Sequence, residues 1–153
     1  GQANNIGHFR RLLGDEREDY REAVERHYSA GDGAWDRTQF VTAYAASHPL
    51  EDWAETFAHY LHILDATDTA VAHELIPPDS TGLDDANEFA RLEIDDILGV
   101  WRPINTAVNA IAETIGAPAV YPFEPIGAVV DKLAFVHRQV AAHTERHRFY
   151  ATR

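Results

Sequence analysis

Apolar residues recur along this chain at intervals of three and four positions, the spacing that puts side chains on one face of an α-helix. The period-two alternation that is typical of half-buried strands is missing from the sequence. The pattern predicts helices over about 15–29, 36–46, 49–75, 84–115 and 126–149, after a short helical piece at 9–13. We therefore expect an all-α fold, a compact bundle of about five to six helices.

Proline and glycine mark the ends of these helices. Pro49 suits the first turn of the long central helix, because proline has no N–H group to leave unpaired there. Pro103 is expected to kink or interrupt the helix that contains it. Two loops rich in proline and glycine are predicted, at 77–82 and 116–125. The loop at 77–82 is the best internal boundary but is too short for a domain linker, so we expect residues 1–153 to form a single helical domain.

The predicted central helix carries two different faces. An apolar stripe covers about 120° of arc and is expected to face the core; its members are Leu50, Ala54, Phe57, Ala58, Leu61 and Leu64. Ionisable residues share a second, narrow face; they are Glu51, Glu55, His59 and His62. This second face has two interpretations: a polar surface in contact with water, or half of a metal site. In the second, Glu51 is a ligand and Glu55 its supporting carboxylate.

Composition narrows the classes of function. The 153 residues carry a formal net charge of −12, a field that repels the phosphate backbone of nucleic acids. The chain has no cysteine, which excludes disulfides and thiolate zinc sites and fits a cytoplasmic setting. No apolar run approaches the roughly 18 residues of a membrane span, so we expect no membrane partner. The chain also lacks methionine, which favours a processed chain or part of a longer protein.

One tyrosine and two glutamates carry a resemblance to a known family. Tyr44, six further residues, Glu51 and Glu55 resemble the second half of the active site in lethal-factor-type zinc peptidases, which are gluzincins. The surrounding segment, FVTAYAASHPLEDWAETFAHYLHILD at 40–65, resembles a bacterial family of predicted zinc-binding metallopeptidases. Similar pieces extend over most of the chain, at 9–20, 27–28, 101–111 and 121–137.

The resemblance implies roles for these residues. Glu51 would be the third zinc ligand, and Glu55 would support the histidine ligands of the same ion. Tyr44 would stand beside the scissile carbonyl, where a protonated phenol can stabilise the oxyanion that develops. The resemblance assigns no ligand role to His59 or His62, which could line the same face.

The chain departs from the family pattern in one large respect. The family also needs HExxH, whose two histidines bind zinc and whose glutamate is the general base, and in the family that motif lies ahead of the part represented here. His73-Glu74 lacks the second histidine. His143 and His147 are one turn apart, but the glutamate between them is misplaced, so we expect at most adventitious metal binding there.

The leading hypothesis is therefore the C-terminal portion of a zinc-dependent metallopeptidase. Its partners would be the missing N-terminal HExxH segment and a peptide or protein substrate. Zinc would belong to the full-length protein, and we expect this chain alone to bind none stoichiometrically and to be inactive. Loss of HExxH in a lineage that kept the fold is equally compatible with the sequence.

Two other classes of function are alternatives to the leading hypothesis. A non-catalytic, acidic helical module that binds a protein partner is the alternative to the peptidase. A carboxylate-bridged di-iron bundle would need Glu-x-x-His pairs on two helices, and the sequence contains none. The di-iron hypothesis is therefore disfavoured.

Overall fold

The computed structural model describes residues 2–31, 35–76 and 92–151, and within these ranges the protein is helical, with five α-helices and no strand. A 3-10 turn over Tyr44–Ser47 precedes the third helix. The helices are α1 Gln2–Leu13, α2 Tyr20–Ser29, α3 Pro49–Ala72, α4 Ile94–Thr114 and α5 Ala128–Ala151. The all-α prediction is confirmed.

Contacts divide the chain into two units. The first contains Gly1–His59 and Glu124–Leu133, and the second contains Tyr60–Phe123 and Ala134–Arg153. Helices α3 and α5 each contribute residues to both. The candidate site residues Tyr44, Glu51 and Glu55 all belong to the first unit.

Two glycines allow close approaches within the first unit. Gly14 ends α1 with a φ of +104°, and a β-carbon there would lie 3.0 Å from Cγ of Pro49, the first residue of α3. Gly127 precedes α5 with a φ of +55°, and a β-carbon there would lie 2.6 Å from the carbonyl oxygen of Thr38. Both positions need glycine because they combine the left-handed conformation with a close neighbour.

A buried ion pair lies at the centre of the first unit. Nζ of Lys132, on α5, donates to Oδ2 of Asp52 on α3 at 2.6 Å and to the carbonyl oxygen of Gln39. The ammonium group also lies 4.4 Å from the centroid of the Phe40 ring. Both charged side chains are buried, so the pair needs these partners to offset the loss of water. Burial raises the pKa of Asp52 to about 6, although the bond from Lys132 acts in the opposite direction.

This pair explains why the predicted core face of α3 is wrong. Ala54 is exposed, and Leu50 and Leu61 are 46% and 41% exposed. The buried positions of α3 are instead largely polar; they are Asp52, Thr56, His59, Tyr60, Ile63, Thr67 and Ala70. Threonine can be buried there because its hydroxyl finds a partner within the helix, as Thr67 does at the carbonyl oxygen of Ile63. Hydrophobicity alone therefore points to the wrong side of the helix.

Two other predictions of helix position also differ from the structure. Helix α2 begins at Tyr20 rather than Asp15, because Asp19 is its N-cap and accepts from the backbone N–H of Glu22 at 2.9 Å. The helix predicted over 36–46 is replaced by a turn at 37–39 and the 3-10 turn.

Local side-chain bonds compete with a helix in that segment. Oδ1 of Asp36 accepts from the backbone N–H of Thr38, and Oγ1 of Thr42 accepts from the N–H of Ala45.

Helix α4 begins at Ile94 and runs through Pro103 to Thr114. The predicted loop at 77–82 and helix start at Asp84 lie outside the described residues.

The second unit contains an aromatic and histidine core. The Tyr60 hydroxyl lies 3.0 Å from Nδ1 of buried His137, so this histidine is a partnered core residue. The side-chain amide of Asn109 bonds to both the backbone N–H and the carbonyl oxygen of Tyr121, so it fixes the loop after α4. Gly116 ends that helix with a φ of +76°, as predicted. None of the helices described is both long and apolar enough to cross a bilayer.

Replacing Lys132 with methionine tests the ion pair. We expect a loss of about 3–5 kcal/mol in the free energy of unfolding at pH 7, because the substitution leaves the Asp52 carboxyl buried without its cation. Without Lys132 the pKa of Asp52 rises further above its usual value, so the native state holds a proton that the unfolded chain releases. Stability should therefore fall as the pH rises from about 4 to 7. Urea unfolding across this pH range measures both effects.

The double variant Asp52→Leu/Lys132→Met is the control. It carries neither charge, so its stability should recover to within about 1 kcal/mol of the unmutated protein or better, without the extra pH dependence. A Lys132→Met variant as stable as the unmutated protein at pH 7 would contradict the buried pair.

Candidate functional site

The first turns of α2 and α3 are joined by one buried histidine. His48 immediately precedes α3 and is 3% exposed. Its Nδ1 accepts the backbone N–H of Leu50 at 3.1 Å, and its Nε2 lies 3.1 Å from the carbonyl oxygen of Glu18. Because Nδ1 accepts, the ring proton is on Nε2 and is donated to Glu18. His48 therefore caps α3 and holds the segment that leads into α2.

This arrangement positions Tyr20, the first residue of α2. Its ring packs against the His48 imidazole edge-on, with centroids 5.1 Å apart and an angle of 62° between the planes. The adjacent N-cap, Asp19, holds the start of the helix. The backbone at Tyr20 is thus held by a cap and its ring by a buried neighbour.

Three side chains converge at the start of α3. The Tyr20 hydroxyl donates to Oε1 of Glu51 at 2.7 Å and lies 3.3 Å from the Tyr44 hydroxyl. We call this group the Tyr20–Tyr44–Glu51 cluster. Tyr20 and Tyr44 are 45% and 38% exposed, so the cluster lies at a surface that a ligand can reach. The structure thus brings Tyr44 and Glu51 to one place, through a tyrosine that the sequence analysis did not single out.

Hydrogen bonding keeps the Tyr20 phenol protonated. The Tyr20 hydroxyl donates its proton to the Glu51 carboxylate, and this bond raises the pKa of Tyr20 well above the usual value of tyrosine. At neutral pH the phenol is therefore a donor. The other carboxylate oxygen of Glu51, Oε2, makes no hydrogen bond to any described residue, and no Lys or Arg in the described ranges pairs with Glu51.

Glu55 follows Glu51 by one helical turn but has a different partner. Its Oε2 accepts from the Thr42 hydroxyl at 2.8 Å, and the same hydroxyl accepts the backbone N–H of Ala45. This bond orients the Glu55 side chain toward the segment that carries Tyr44. It gives Glu55 a defined position.

The two histidines predicted to share this face have separate surroundings. His59 is buried on the first unit's part of α3. His62 is exposed in the second unit, where its ring meets Tyr121 edge-on with centroids 6.2 Å apart. Asn109 holds the backbone of the same Tyr121. Tyr121 also contacts Trp101 and Phe123, and burial raises its pKa.

Comparison with known proteins identifies the family. The profile of a family described as "Putative zinc-binding metallo-peptidase" matches residues 1–139. The chain belongs to this family. It is also 38% identical over 135 residues to an uncharacterized protein of Mycobacterium bovis and, to the same extent, to uncharacterized proteins of Mycobacterium tuberculosis. These alignments cover 88% of this chain but only 39% of each relative. No solved structure matches the chain.

The family's description raises the question of whether these residues fit zinc. The described residues contain no group of three or more His, Asp or Glu side chains that could hold a metal ion. Glu51 alone offers a carboxylate oxygen beside two phenols. The donor set therefore fits one ligand of a zinc site and does not fit a whole site, which needs three protein ligands.

Tyr20 and His48 are the site residues that sequence reasoning missed. Tyr20 lies in the segment 9–20, which entered the sequence analysis only as part of the resemblance, and 31 positions separate it from Glu51. A histidine directly before a proline at a helix start is itself a signal, because its ring can accept the free N–H groups of the first turn.

Substitution of His48 tests the link between α2 and α3. His48→Ala removes the cap and the bond to Glu18, so we expect a loss of about 2–3 kcal/mol in the free energy of unfolding. His48→Asn supplies a new cap acceptor and should recover about 1 kcal/mol. Chemical denaturation of the two variants gives both values. Equal stability of His48→Asn and His48→Ala would contradict the cap.

NMR of tyrosine labelled with ¹³C at Cζ tests the cluster. The Tyr20 signal, assigned with Tyr20→Phe, should titrate at a pH well above the usual value near 10. Glu51→Gln should lower that pKa, because it removes the carboxylate that accepts the Tyr20 proton. Titration of Tyr20 near 10 in the unmutated chain would show that the cluster does not form.

Proposed function

We propose that this chain is the C-terminal portion of a zinc-dependent peptidase, in which Glu51 would supply one zinc ligand. Membership of the zinc-binding metallopeptidase family supports the class of reaction. The observation that carries the assignment to residues is the Tyr20–Tyr44–Glu51 cluster, an oriented carboxylate beside two phenols at an accessible surface.

Each residue of the chain would have a distinct task. Zinc, when bound, would supply a Lewis acid that activates water for attack on a peptide carbonyl. The Tyr44 phenol would donate a hydrogen bond to the carbonyl oxygen of the scissile peptide as negative charge develops on it. Glu55, oriented by Thr42, would accept a hydrogen bond from a histidine ligand and so fix the direction of that ring.

The remaining ligands would come from an HExxH segment that is not part of this chain. The need for further ligands follows from the donor set, which provides one carboxylate where three protein ligands are required. The length of the relatives is compatible with such a segment, since the chain spans only 39% of each of them. The substrate would be a peptide or protein. We expect the 153-residue chain alone to show neither stoichiometric zinc nor peptidase activity.

Zinc content tests the ligand assignment. In the full-length protein that contains HExxH and this chain, Glu51→Gln should weaken zinc binding by more than about 100-fold, since loss of even an outer hydrogen-bond partner costs 10–100-fold. Chelator competition and metal analysis measure the change. The control is Asp65→Asn, an exposed carboxylate later on the same helix, which should bind zinc as the unmutated protein does. Undiminished zinc affinity in Glu51→Gln would overturn the assignment.

A non-catalytic interaction module is the second candidate. One observation favours it: large apolar side chains of the second unit are exposed at the end of α4 and in the following loop, and they include Ile111, Ile115 and Val120. Such side chains are typical of surfaces that meet a partner. A full-length protein that binds no zinc would favour this candidate over the peptidase.

A further inference from the structure

We propose that Tyr20 is a positioning residue of the site, which orients Glu51 and holds the Tyr44 phenol until a substrate replaces it. The inference rests on the proposed function, because it assigns Glu51 to zinc and Tyr44 to the substrate. Tyr20 itself would touch neither. It would act through the two side chains that it bonds.

The direction of the hydrogen bonds follows from counting protons. A phenol has one proton, and that of Tyr20 is donated to Oε1 of Glu51. The Tyr20 oxygen can therefore only accept from Tyr44. The hydrogen bonds therefore run from Tyr44 to Tyr20 and from Tyr20 to Glu51. In this state the hydroxyl proton that Tyr44 would donate to a substrate is hydrogen-bonded to the Tyr20 oxygen.

The two bonds differ in strength, and the difference suits their tasks. The Tyr20–Glu51 bond, at 2.7 Å, has the usual length for a hydroxyl donor, and a charged acceptor strengthens it. The Tyr44–Tyr20 bond, at 3.3 Å, is longer than ordinary hydroxyl bonds and is weak. A carbonyl oxygen with growing negative charge could therefore accept the hydrogen bond of Tyr44 while Tyr20 stays bonded to Glu51.

The hold on Glu51 determines which oxygen is available. Because Oε1 accepts from Tyr20, Oε2 is the oxygen left to bind a cation, and the carboxylate would bind through that one atom. Groups that orient a metal ligand in this way typically contribute 10–100-fold to metal affinity.

Tyr20 can do this because its own position is fixed. It starts α2 directly after the Asp19 cap, and its ring packs on His48, whose two nitrogens are both bonded to backbone groups. A side chain held by packing and by hydrogen-bonded neighbours orients its partner more accurately than one on a free loop.

Zinc affinity of the full-length protein tests the proposal. Tyr20→Phe keeps the ring against His48 and removes only the hydroxyl, so zinc should bind 10–100-fold more weakly. Tyr44→Phe should leave zinc affinity within about 3-fold and lower kcat by about 10²–10³, the effect of removing one oxyanion donor. Excess zinc should restore most of the kcat of Tyr20→Phe and none of that of Tyr44→Phe. The matched control is Tyr28→Phe, an exposed tyrosine of α2.

The outcomes separate this inference from the function on which it rests. A full-length protein that binds no zinc, or whose Glu51→Gln variant binds zinc normally, overturns the proposed function and the inference with it. Loss of zinc in Glu51→Gln together with normal affinity in Tyr20→Phe overturns the inference alone. Equal weakening in Tyr20→Phe and Tyr28→Phe does the same, because it would reflect a general effect on α2.

Discussion

The candidate site depends on the two hydrogen bonds of His48. One nitrogen caps α3 and the other holds the segment before α2, so the first turns of two helices are fixed to one imidazole. Tyr20 reaches Glu51 only because α2 begins where His48 places it. An exposed cluster of two phenols and a carboxylate would otherwise lose most of its interaction energy to side-chain entropy and solvent. In this structure the buried His48 fixes the position of Tyr20, and the cluster is ordered for that reason.

Most of the helices could be predicted from the sequence, but the face that α3 buries could not. Spacing of apolar residues located α3 because helical periodicity is a local property. Its buried side is set by Asp52, whose partner Lys132 lies 80 positions away, and by threonines that bond within the helix. The spacing of neighbouring residues in the sequence cannot indicate a pair that is so far apart along the chain. The helix predicted over 36–46 is absent for a local reason, because side-chain bonds of Asp36 and Thr42 to nearby backbone groups compete with helix formation.

The candidate site, too, could be predicted from the sequence only in part. Tyr44 and Glu51 are seven positions apart across a helix start, so a resemblance over one short segment could name both. Tyr20 comes from another helix, and only the folded chain brings its hydroxyl to Glu51. The catalytic and ligand roles of Tyr44, Glu51 and Glu55 stay predictions. Family membership supports a zinc-binding peptidase, while the described residues of this chain offer one ligand to such a site.

The protonation state of His48 is the most direct test of this account. A long-range ¹H–¹⁵N correlation spectrum of the folded chain at neutral pH distinguishes the two ring nitrogens and shows which one carries the proton. The bonds from Leu50 and to Glu18 require the proton on Nε2 and an unprotonated Nδ1. A proton on Nδ1 would contradict the account, because His48 could then neither cap α3 nor hold the start of α2 as described.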